Sequence, residues 1–166
     1  MVFFLCFANF PPTTVTINIL YCKNKKEASM ISNEQMDALF MEAQNAARLA
    51  YAPYSKFRVG AALVCEDGGI ITGVNVENRS FGLSICAEQN AITTAIAQGK
   101  RNFLALAVST PDSITPVSPC GACRQILGEF LPSDTPIRFG GSSRDRVNTT
   151  MGELLPWDAL HELKNN

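Results

Sequence analysis

Two short cysteine clusters, Cys86-Ala87-Glu88 and Pro119-Cys120-Gly121-Ala122-Cys123, constrain this chain most, because a fold that joins them makes a metal site. Cys120 and Cys123, three apart at the start of a helix, can turn both sulfurs toward one ion. The positive end of the helix dipole favours their thiolate forms. Cys86 can supply a third sulfur from a second helix start. A structural zinc site takes four protein ligands, whereas a catalytic one keeps a position for water, so three cysteines match an open Zn2+ site. Two alternatives stand beside this reading. The cysteines can simply pack in a core, or Cys65 can close the site as a fourth ligand. Cys65 lies in a strand-like run and reads as a small buried hydrophobe. His161, the single histidine, falls in a polar terminal stretch and reads as exposed rather than as a ligand.

With 166 residues, 46% of them apolar, the chain can bury one core and is read as one domain. A formal charge of −1, with Lys and Arg scattered, argues against long nucleic acids as partners. Cysteines used as metal ligands rather than in disulfides fit a reducing cytoplasm. The apolar start MVFFLCFANF lacks the basic residues of a signal peptide and meets Pro11-Pro12 too early to cross a bilayer, so no membrane partner is expected. Lys26-Glu27-Ala28 can be encoded by a purine-rich ribosome-binding sequence shortly before the Met30 codon. We therefore expect bacterial translation from Met30. Residues 1–29 are then an N-terminal extension that need not be translated, and Cys6 and Cys22 have no assigned role.

Helical spacing of Met36, Leu39, Phe40, Ala43, Ala46, Ala47 and Ala50 predicts a helix over 32–50, with Ser32 or Asn33 as cap. The runs 59–65 and 70–76, around Glu66-Asp67-Gly68-Gly69, predict a β-hairpin. A helix over 86–98, a strand over 104–109, a helix from Pro119 or Cys120, a strand near 137–139 and a terminal helix over 152–163 complete the reading. Two strands followed by alternating helices and strands favour an α/β fold, a mixed sheet covered by helices.

CAE and PCGACRQ, together with PYSKFRVGAAL, GVNVEN and ELLP in order, resemble the cytidine deaminase family over most of residues 32–156. The resemblance implies a three-layer deaminase fold for residues 30–166 and hydrolysis of the 4-amino group of free cytidine and deoxycytidine in pyrimidine salvage. It also implies a homotetramer with sites at subunit boundaries. Cys86, Cys120 and Cys123 would hold zinc, which activates water, and Glu88 would move protons between that water, N3 and the leaving amine.

Strand alternation sends Asn75 and Glu77 to one face, where both can bond hydroxyls, and the resemblance assigns them the ribose. A carboxylate there would repel a phosphate, which favours nucleosides over nucleotides. The resemblance adds Phe57 and Ala87 as base contacts, although core packing suits Phe57 equally. NVEN with PYSKF favours cytidine over an antibiotic of the blasticidin type. Where relatives often carry arginine this chain has Gln89, and Arg124 is implied to offset the thiolate charge. After ELLP relatives commonly place a phenylalanine that reaches a neighbouring site; here Trp157 follows, to replace it or to anchor the terminal helix.

Overall fold

The computed structural model describes residues 31–158 and Leu163. The segment 1–29, the start at Met30 and His161 lie outside the described residues. Helix α1 (Asn33–Ala47) starts with a capping box: the Ser32 hydroxyl accepts from Gln35 N while the Gln35 side chain accepts from Ser32 N. The chain continues through β1 (Gly60–Cys65), β2 (Ile70–Val74), α2 (Ala87–Ala97), β3 (Phe103–Ser109), α3 (Gly121–Phe130), β4 (Pro136–Gly140), β5 (Arg146–Thr150) and α4 (Met151–Leu154).

The sheet order is β2-β1-β3-β4-β5, parallel between β3 and β4 and antiparallel elsewhere. The mixed α/β architecture expected from the sequence is thus the one observed. All six residues of β1 are buried because both sheet faces are covered. Ala62, Val64, Ala105 and Ala107 face α1 through Met36, Leu39, Phe40 and Ala43. Their strand neighbours Ala61, Leu63, Leu106 and Val108 pack on Ala87, Ala91 and Ile92 of α2 and Leu127 of α3. The alternation of period two separates the cores and makes three layers.

Gly73 brings α2 against β2, since a Cβ there would overlap the Ala87 carbonyl and the Ala91 amide and lie 2.9 Å from Ala91 Cα. Asn90 Nδ2 adds a bond to Val74 O at 2.8 Å.

Besides α1, which ends at Ala47 rather than at residue 50, three features differ from expectation. β2 stops at Val74 because the Asn75 side chain, not the next ladder group, takes the Val59 amide at 2.8 Å; Val76 instead bridges Tyr51 and Ile85. Of the terminal helix expected over 152–163, the described residues up to Asp158 hold the single turn α4, closed by Leu155 in a non-helical conformation before Pro156, and residues 159–162 lie outside the described residues. β5 was not foreseen: Arg-Val-Asn-Thr-Thr is mostly polar and pairs as an edge strand.

Candidate active site

Two helix starts meet at the cysteines. Cys86 is the N-cap of α2, and Cys120 is the N-cap of α3, where its sulfur accepts from Cys123 N at 3.4 Å. The sulfurs of Cys86, Cys120 and Cys123 all lie within 4.8 Å of one another, with Cys86 and Cys120 at 4.0 Å. Tetrahedral zinc with thiolates at about 2.3 Å requires sulfurs about 3.8 Å apart, so the trio fits that ion. Cys65 is not in the cluster; it is buried in the α2-side core, and burial pushes its thiol up. Among the described residues the donor set therefore has three members, as an open site needs.

Protonation of the cluster is shared. Hydrogen bonding from Cys123 draws Cys86 down to about 7, while the same bond and burial push Cys123 upward. The Cys86–Cys123 pair gives up its first proton readily and holds the next, and a bound dication replaces both. Glu88, in the first turn of α2, is 4% exposed; burial pushes its carboxyl up, against hydrogen bonds from its own backbone and Cys123.

These groups open into a cavity of about 280 Å³, near the lower end of the roughly 300–1,000 Å³ of small-molecule pockets. Phe57, Asn75, Glu77, Cys86, Ala87, Glu88 and Cys120 all line it. Asn75 Nδ2 donates to Phe57 O at 2.9 Å while Oδ1 accepts from Val59, so one amide fixes the Phe57 segment beside β2. Glu77 accepts from Tyr54 N at 2.8 Å and from the Ser55 hydroxyl, which is the main cause of its lowered carboxyl. The loop between carries Lys56 at φ 60, an uncommon conformation for a residue with a side chain.

The charge-supporting candidates divide. Gln89 Nε2 reaches Cys123 Sγ at 3.8 Å. The Arg124 guanidinium instead donates to Pro119 O at 2.8 Å, Ser118 Oγ at 2.9 Å and Leu154 O at 3.4 Å. Its hydrogen bonds thus go to oxygens, and its charge acts on the sulfurs only through space. Trp157 is 91% exposed among the described residues.

Sequence reasoning missed Ser55, Thr110, Val117 and Ser118 in the lining, and the Arg58–Asp112 pair beside it. Ser55 lies inside one quoted motif and Ser118 beside another, so both were within reach; Thr110 and Asp112 gave no local signal.

The cytidine and deoxycytidylate deaminase zinc-binding region matches residues 33–137. A cytidine deaminase of Halalkalibacterium halodurans is 48% identical over 118 residues, covering 71% of this chain and 89% of that protein. The chain belongs to the cytidine deaminase family. A Sporosarcina psychrophila cytidine deaminase is 46% identical over 121 residues, covering 73% and 88% of the two chains. The crystal structure of cytidine deaminase from Burkholderia pseudomallei superposes with a TM-score of 0.70 at 44% identity, covering 72% of this chain and 95% of that one. Cytidine deaminases are hydrolytic deaminases, and the three converging cysteines are compatible with the zinc of the matching region.

Proposed function

We propose that this chain hydrolyses the 4-amino group of free cytidine and deoxycytidine, releasing ammonia, in pyrimidine salvage. The observation that carries the reading is a buried carboxyl, Glu88, beside three converging sulfurs at the base of a small cavity. Zinc held by Cys86, Cys120 and Cys123 supplies a Lewis acid that makes water a nucleophile at neutral pH. Glu88 takes a proton from the attacking water and delivers it to N3, then takes the proton of the new C4 hydroxyl and gives it to the leaving amine as the C4–N bond breaks. Phe57, Asn75, Glu77 and Ala87 line the cavity; on this reading Phe57 and Ala87 meet the base, and Asn75 and Glu77 the sugar. Fixed by the 54–55 loop, the Glu77 carboxylate accepts from a ribose hydroxyl and disfavours a phosphate.

The working unit is a homotetramer in the cytoplasm. Phe81 and Leu83, 76% and 67% exposed next to lining residues Ser84 and Ile85, support burial against another copy. Cys65, Cys86, Cys120 and Cys123 are all free thiols, as a reducing compartment allows. No helix among the described residues is long and apolar enough to cross a membrane.

The test is incubation of zinc-loaded protein with cytidine, deoxycytidine, cytosine, CMP and blasticidin S, with release of ammonia as readout. Turnover of the two nucleosides is expected. No turnover, or preference for CMP, overturns the reading; light scattering tests the tetramer.

A further inference from the structure

The segment Pro116-Val117-Ser118-Pro119 forms one wall of the cavity through Val117 and Ser118. Its two prolines carry no backbone N–H, so it is poor in donors and is best held through its acceptors. The backbone bonds of the preceding loop, Ser113 N to Thr110 O, Ser142 N to Ser113 O and Ser143 N to Ile114 O, all lie upstream of it. Arg124, one turn into α3, reaches back to it. Nε donates to Pro119 O at 2.8 Å and one terminal nitrogen donates to Ser118 Oγ at 2.9 Å. The other terminal nitrogen reaches Leu154 O at the end of α4, where a helix leaves carbonyls unpaired.

We infer that Arg124 is a positioning residue for substrate recognition: it locks the 116–119 wall to α3 and α4, presenting Val117 and Ser118 to the bound nucleoside. Its effect on the reaction runs through that wall rather than through the thiolates. The guanidinium fork suits two acceptors at fixed spacing, which a lysine ammonium serves less well. Ser118, accepting from Arg124, also keeps its own hydroxyl proton for an acceptor in the cavity. This inference rests on the nucleoside reading above.

The experiment compares Arg124→Gln, Arg124→Lys, Ser118→Ala and the Arg124→Gln/Ser118→Ala double variant, all zinc-loaded, in cytidine turnover, zinc content and amide hydrogen exchange. Arg124→Gln is expected to raise KM roughly tenfold with a smaller change in kcat and unchanged zinc, and Arg124→Lys to fall between it and the parent. Ser118→Ala should reproduce part of the rise, and the double variant should be less than additive. Exchange at Val117 and Ser118 should quicken in Arg124→Gln whether or not cytidine is the substrate. Zinc loss with unchanged KM in the Arg124 variants, or additive effects in the double variant, overturns the inference. Should Arg124→Gln not fold, Ser118→Ala with parental KM overturns it alone. A parent protein inactive on cytidine defeats the nucleoside reading instead, while exchange still reports on the wall.

Discussion

Cys86 Sγ and Cys120 Sγ stand 4.0 Å apart although 34 residues separate them in the chain. Each caps the helix that follows, so the two helix starts, α2 laid on β2 and α3 after the 110–119 loop, set the separation. Repulsion between two thiolates at this distance is relieved by a shared dication. We expect about one zinc per chain. Replacing Cys86, Cys120 or Cys123 by serine should lower metal content and activity together, whereas Cys65→Ser should leave stoichiometry unchanged. Full zinc in all three ligand variants, read by atomic absorption, would remove the assignment.

Glu88→Gln separates proton transfer from metal binding. The amide keeps the shape of a group that is 4% exposed but cannot carry a proton between oxygen and nitrogen. Zinc content should be retained while kcat falls by about two orders of magnitude or more. Near-parental turnover would take Glu88 out of the mechanism.

Gly73 ties the site to the fold. A methyl group there meets backbone of α2 at Ala87 and Ala91, on the turn that carries Cys86 and Glu88, so relief requires moving the helix. Gly73→Ala should cost about 1–3 kcal/mol or more of stability and also weaken zinc retention. The denaturation midpoint and metal content are the two readings. Unchanged values for both would show that α2 can shift without disturbing the site.

Much of this was legible in the sequence where one residue type carries one physical demand. Ser32 reads as a candidate cap, the apolar runs at 59–65 and 104–109 as strands, and the cysteine spacing as converging helix starts. Asn75 and Glu77 both reach the cavity, but beyond the end of β2 and with Val76 between them also in the lining, so the expected strand alternation is not what brings them there. What escaped depends on contacts between distant segments. β5 is recognised only by its pairing with β4, because Thr149 and Asn148 give no apolar alternation. Likewise, the resemblance implies a charge role for Arg124 at the thiolates, while the direction of its fork, toward proline-bounded acceptors and α4, shows only in the fold.

Arg58 and Asp112 give a pH signature away from the cysteines. Arg58 offers its backbone N at 2.8 Å, Nε at 2.9 Å and a terminal nitrogen at 2.6 Å to one carboxylate, joining the Phe57 segment to the 110–113 loop. The Arg58 hydrogen bond holds the Asp112 carboxyl below its usual range. A depressed folded-state value means the contribution is fully present above the unfolded pKa of about 3.9 and is lost as pH falls through the folded value. Asp112→Asn should therefore lower thermal stability at neutral pH and flatten its decline below about pH 4. Parallel curves for parent and variant across that range would rule the pair out as a contributor.

The last prediction concerns Gln89, the side chain whose nitrogen reaches a cluster sulfur. Zinc with three thiolates sums to −1, and a buried excess negative charge is stabilised by donors directed at it. Cys123 is the most buried of the three sulfur-bearing residues, so it has the least help from water. Gln89 Nε2 approaches it at 3.8 Å, and α3 contributes its N-terminal dipole to the same residue. Removing the amide in Gln89→Ala leaves that thiolate, the most buried of the three, with one donor fewer. Metal affinity should fall by roughly 10- to 100-fold, as for other losses of an outer partner, with secondary structure unchanged. Gln89→Arg keeps a donor and adds a positive charge, so its retention should equal or exceed that of the parent. Competition with a chelator of known affinity orders the three proteins directly. Parental zinc affinity in Gln89→Ala would mean that the helix dipole alone sustains the Cys123 thiolate.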